Sequence, residues 1–221
     1  MDLILIIIPL ILIFISNAYI NNSYKKYSVY EVKSGKTGYE TAREILDTNG
    51  LENVKIQKVS GTLTDNFNPK TNTISLSKDV YDDSSVASVA VAAHECGHVM
   101  QHKEKYAFIV LRGILVPVVN LTSRAGYIIM IIGCIASILD VAMLGLILMA
   151  GSLVFQLITL PTEFNASKRA RKQLLKLNII NESELSEVGS MLNSAAMTYV
   201  ASFFASLTQM LRLFLNLRRN D

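Results

Sequence analysis

Apolar positions along this chain fall into three long runs, Leu3–Ile20, Ile114–Leu160 and Met197–Leu215, separated by stretches in which they recur at shorter intervals. The first run holds about 18 residues, which at about 1.5 Å each span about 27 Å, close to the hydrocarbon thickness of a bilayer. Pro9 inside it is tolerable in lipid. A cleaved signal peptide would carry positive charge ahead of the run, but only Asp2 precedes it, while Lys25 and Lys26 follow. We read an uncleaved anchor whose C-terminal end faces the cytoplasm. Ile114–Leu160 is too long for one crossing and carries Asp140. It predicts a helical hairpin with its tip near Asp140 outside and a returning span, Val141–Leu160, that ends at Pro161. The basic cluster Lys168, Arg169, Arg171, Lys172 and Lys176 then marks cytoplasm again. Arg124 implies either a short first span starting near Gly126, or a guanidinium that snorkels or faces a polar cavity. Met197–Leu215 carries Ser202, Ser206, Thr208, Gln209 and Arg212, and a further span would leave Arg218 and Arg219 outside. It reads as a helix packed on the protein or lying in the interface.

Between the first two runs the periodicity changes. Ala42, Ile45 and Leu46 fall at helical spacing, so Gly38–Thr48 predicts a helix stopped by Asn49-Gly50. Val54–Val59, Leu63–Phe67 and Thr73–Ser77 read as short strands, the second closed by Asn68-Pro69. Asp82, Asp83, Ser84 and Ser85 offer N-cap chemistry for a helix running to about Glu104. The fold class is therefore α+β: a few-stranded sheet and a long helix joined to an anchor helix and a membrane hairpin. The divisions are 1–20 anchor, 21–105 cytoplasmic catalytic part, 106–160 membrane hairpin, and 161–221 cytoplasmic-side helices.

Composition narrows the class. The 221 residues are 51% hydrophobic and 18% charged, which excludes disorder. A net charge of +3, with no basic stripe interleaved with aromatics, excludes a nucleic-acid partner. Cys96 and Cys134 are too few for a disulfide framework and read as free thiols.

The chemistry lies in the last predicted helix before the hairpin. His94 and His98 are four apart in His94-Glu95-Cys96-Gly97-His98, so they share one helix face and their rings can converge on one zinc ion. Glu95 is one step round the helix, placed as a general base rather than a ligand. Gly97 leaves room for a close approach. His102 lies roughly 12 Å along the axis from His94 and cannot join both histidines on one ion without unwinding the helix, which excludes the longer metzincin pattern. Val86–Met100 is too short to place the motif inside a transmembrane helix. A catalytic zinc needs a third protein ligand. Glu163 follows the returning span, on the same side as the histidines and at the start of a predicted helix. Glu104, Glu182, Glu184 and Glu187 are weaker competitors.

The blocks Leu63-Thr64-Asp65 to Leu76-Ser77, Val89 to His98, and Leu160-Pro161-Thr162-Glu163-Phe164-Asn165-Ala166-Ser167-Lys168-Arg169-Ala170, together with Leu3–Ile20, resemble the YugP-type membrane-associated neutral zinc metallopeptidases of bacteria. The likeness covers nearly the whole chain. It implies a multi-pass bacterial cell-membrane protein with a gluzincin-like core, His94 and His98 as ligands, Glu95 as base and Glu163 as third ligand. More distantly the chain is similar to HtpX-type membrane proteases, which carry an Asp four residues after the ligand Glu. Ser167 stands there, so a carboxylate that orients a histidine is missing or comes from elsewhere. The activity expected is peptide-bond hydrolysis of protein or peptide substrates, membrane proteins among them. The strand Ile74–Ser77 would pair with extended substrate, and Tyr199 is a candidate oxyanion helper. A non-hydrolytic membrane chaperone or adaptor, or a structural subunit with a zinc site, is the alternative, and neither needs Glu95.

Overall fold

In the computed structural model, which describes residues 2–219, the elements in chain order are as follows. Helix α1 is Asp2–Tyr27 and α2 is Gly38–Thr48; the strands are β1 (Lys55–Val59), β2 (Asn66–Asn68) and β3 (Thr73–Ser77); the remaining helices are α3 (Lys78–Asp82), α4 (Val86–Lys103), α5 (Ala107–Ala136), α6 (Leu139–Lys176) and α7 (Leu185–Arg219). The chain forms two compact units that interleave along the sequence.

One unit comprises Ala18–Tyr106 and Thr162–Ala196. Its α2 forms where a capping box is encoded: Thr37 Oγ1 accepts from Glu40 N while the Glu40 carboxylate accepts from Thr37 N. Ser85 caps α4 by accepting from Ser88 N. α4 packs on α2, and Ile45, Leu46, Ile74, Leu76, Leu174 and Ile179 are fully buried between the helices and the sheet. The sheet order is β1-β3-β2, with β1 parallel and β2 antiparallel to β3.

Several expectations change here. The second strand is only Asn66–Asn68, because Leu63 adopts a left-handed φ of 55° and Asp65 turns its carboxylate to accept from Ser77 N at 2.7 Å and from Ser77 Oγ. β3 is the central strand, paired with β1 along Thr73–Ser77 and with β2 at Thr73–Ser75, and buried along its length, so most of the edge expected to take substrate is already occupied. α1 runs past Ile20 to Tyr27, because Tyr24 and Tyr27 bury in the core of this unit. The short α3 was not anticipated.

The other unit comprises Met1–Asn17, Ala107–Pro161 and Met197–Asp221. Within it α5 and the first part of α6 form a hairpin at backbone contact. A Cβ at Gly145 would lie 2.3 Å from Met130 N, and one at Gly133 2.3 Å from Ala142 N, so only glycine admits this approach. The tip is Ser137-Ile138, near Asp140 as expected. Ser137 takes a φ of 56°, and Ile138 N donates to Gly133 O at 2.9 Å, the double-bonded helix stop. Asp140 stands in the first turn of α6, where a carboxylate suits the helix dipole. α5 begins at Ala107 and runs unbroken through an exposed Arg124. α6 continues through Pro161, so neither the helix end expected there nor the helix start expected beside Glu163 exists. A proline withholds one N–H from the ladder, and the turns on both sides carry the helix across that gap. α7 absorbs Met197–Leu215 into a 35-residue helix, so four helices, α1, α5, α6 and α7, are long and apolar enough to cross a membrane.

Candidate metal centre

Two helices of one unit, α4 and α6, build the site. The i, i+4 spacing on α4 puts the His94 and His98 rings 4.8 Å apart and nearly perpendicular. From α6, the Glu163 carboxylate lies 3.3 Å from His94 Nε2 and 3.5 Å from His98 Nε2, and is 2% exposed. One ligand atom from each of the three residues falls within 4.8 Å of the others. Two donors bound to a tetrahedral zinc at about 2.0–2.1 Å stand about 3.3–3.4 Å apart. Two imidazoles and a carboxylate also form a donor set that suits zinc. The residues therefore fit the ion.

Gly97 permits this crossing. A Cβ there would sit 2.6 Å from the carbonyl oxygen of Ala166, so any side chain would push α6 and Glu163 away from the histidines. The close approach expected at this glycine is thus the backbone of the helix that carries the third donor.

Glu95 is buried beside the cluster. Burial pushes its carboxyl above the ordinary range; the His98 and His94 rings oppose this, and the charges of Glu163 and Asp65 add to it. Cys96 points the other way, its Sγ 3.6 Å from Ala42 O on α2, and burial pushes that thiol up, which makes it unreactive. Both cysteines are free.

The remaining nitrogens of the histidines are held by neutral groups. His94 Nδ1 is 3.1 Å from Ser167 Oγ, so the serine at the position expected to lack an orienting carboxylate still meets the ring. His98 Nδ1 is 3.0 Å from Gln101 Oε1. Gln101 Nε2 donates to Thr162 O at 2.8 Å and to Asn165 Oδ1 at 3.0 Å. Asn165 Oδ1 also accepts from Arg169 Nε at 2.7 Å, and Arg169 forms a two-pronged ion pair with Glu104. Sequence reasoning missed Gln101, Asn165 and Arg169. The available signal was an amide on an otherwise apolar helix, one turn from a histidine.

The other candidates lie away from the cluster. His102 is exposed and packs edge-on against Phe67, with ring centroids 5.4 Å apart. Glu104 is committed to Arg169, which holds its carboxyl below the usual range. Glu184 accepts from Lys33 N and Asn181 N, tying the start of α7 to the loop before α2. Tyr199 falls in the part of α7 that belongs to the other unit.

Fold and site together define a helical chain with membrane-type apolar helices and a histidine–carboxylate cluster that could hold a metal ion. The chain belongs to the family described as "Putative neutral zinc metallopeptidase", which it matches over residues 2–218. It is 43% identical over 200 residues, 89% of each chain, to the "Putative membrane protease YugP" of Bacillus subtilis (strain 168). No solved structure matches it.

Proposed function

We propose that the protein is a multi-pass membrane zinc endopeptidase of the gluzincin type that hydrolyses peptide bonds on the cytoplasmic face of a bacterial cell membrane. The observation that carries this reading is the convergence of His94, His98 and Glu163, with the buried carboxylate of Glu95 beside them. Held by those three residues, zinc would acidify water and polarise the scissile carbonyl. Glu95 takes the proton of the attacking water on its carboxylate and returns it to the leaving amine. Its raised proton affinity suits both halves of that exchange. With β3 paired on both sides, extended substrate is assigned instead to the outer edge of β2, the strand that meets the motif helix through Phe67 and His102.

Cleavage of casein or a membrane protein by the purified, detergent-solubilised chain tests the reading. Activity is expected to vanish with a zinc chelator and to return when zinc is restored. A chain that binds zinc and holds unfolded protein without cutting it would be the adaptor instead.

The topology has its own test. A cysteine at Asp140 is expected to react with an impermeant thiol reagent added to intact cells, and one at Lys172 is not. Both are placed in a Cys134→Ser background, since Cys134 is an exposed thiol near the hairpin tip. The reverse pattern would move the active site to the outer face.

A further inference from the structure

We propose that Gln101 is a positioning residue that fixes which nitrogen of His98 carries the proton, and that α6 sets its orientation through Thr162, Asn165 and Arg169. The inference rests on the reading of His98 as a zinc ligand. The hydrogen-bond pattern around Gln101 has one consistent solution, and it starts at the surface. Arg169 can only donate, so the Asn165 atom 2.7 Å from its Nε must be the amide oxygen. That same oxygen lies 3.0 Å from the Gln101 amide, which must present its nitrogen there. The carbonyl of Thr162, an acceptor only, demands the same nitrogen at 2.8 Å. Gln101 therefore turns its oxygen to His98, and His98 Nδ1, 3.0 Å away, must donate. Nδ1 therefore carries a proton, and Nε2, the atom that faces Glu163, is the nitrogen left to bind zinc.

Gln101 is fully buried, so water cannot substitute for it. His94 has no equivalent constraint, because the Ser167 hydroxyl that meets its Nδ1 can donate or accept. The two ligands thus differ: one is set by a rigid amide, the other by a rotor. No carboxylate meets His98 Nδ1 in this arrangement. An amide orients the ring without adding charge to a site that already buries Glu95 and Glu163.

The test needs two readouts besides activity. In the first, nitrogen-15 spectra of histidine-labelled, metal-free wild-type protein at alkaline pH report the tautomer. His98 is expected to carry a proton on Nδ1, and an Nδ1 without one would overturn the proposal without any variant having to fold. In the second, zinc affinity is measured by competition with a chromophoric chelator. Gln101→Met removes the acceptor at nearly constant volume and is expected to weaken zinc about 10–100-fold. If Gln101→Met lowers thermal stability but leaves zinc affinity and the His98 tautomer unchanged, Gln101 is only a helix-to-helix tie and the proposal fails. A wild-type chain that binds no zinc would sink the metallopeptidase reading instead, and the tautomer measurement would still stand.

Discussion

A Glu95→Gln variant is expected to lose turnover by at least about 10²–10⁴-fold while keeping its zinc, the range that removal of a positioned general acid–base costs. Glutamine has nearly the shape of glutamate, so the packing around this buried position survives. What disappears is a carboxylate that can take and return a proton. Glu95 lies one residue round the helix from His94, and it is not among the three residues whose ligand atoms converge. Metal analysis of the purified variant beside its activity separates the two roles. Zinc lost in step with activity would make Glu95 part of the metal's support instead.

Glu163→Ala is expected to weaken zinc binding as much as His98→Ala does, while Glu104→Ala leaves it unchanged. Zinc-binding free energies of about 10–16 kcal/mol for four-ligand sites assign on the order of 3 kcal/mol to each donor, or about a hundredfold in affinity. Glu163 is one of only three donors, and it approaches both imidazoles. Glu104 is spent on Arg169 at the surface. Equilibrium dialysis of the three variants against a zinc buffer reads the difference. Full zinc occupancy in Glu163→Ala would transfer the third ligand to another residue.

What could be read from the chain alone was whatever a residue type announces locally. α2 was legible because Ala42, Ile45 and Leu46 fall at helical spacing and Asn49-Gly50 marks its end, where Gly50 takes the left-handed turn. The ends of α4, α5 and α6 use the same stop with Lys105, Ser137 and Asn178 in left-handed conformations, at φ of 51°, 56° and 52°. None of these is glycine, so the residues that make each stop were not legible, and the hairpin tip could be placed only as near Asp140, the nearest conspicuous charge. Pro161 misled in the opposite sense, suggesting a boundary inside a helix that neighbouring turns sustain. The central position of β3 depends on strand order, which no alternation of apolar residues encodes. At the site, His94, Glu95 and His98 declare themselves by spacing, and Glu163 by its place after an apolar run. Gln101, Asn165 and Arg169 are ordinary polar residues that acquire meaning only where α4 crosses α6 at Gly97.

The donors of the metal centre lie on either side of α5 and the apolar part of α6. This division orders events during biosynthesis. The chain is made from its N-terminus, so both histidines and Glu95 leave the ribosome before the hairpin has been synthesised, and Glu163 emerges only after it. The nascent protein therefore holds two-thirds of a metal site throughout insertion. The three-donor cluster therefore stays incomplete until the hairpin has been made.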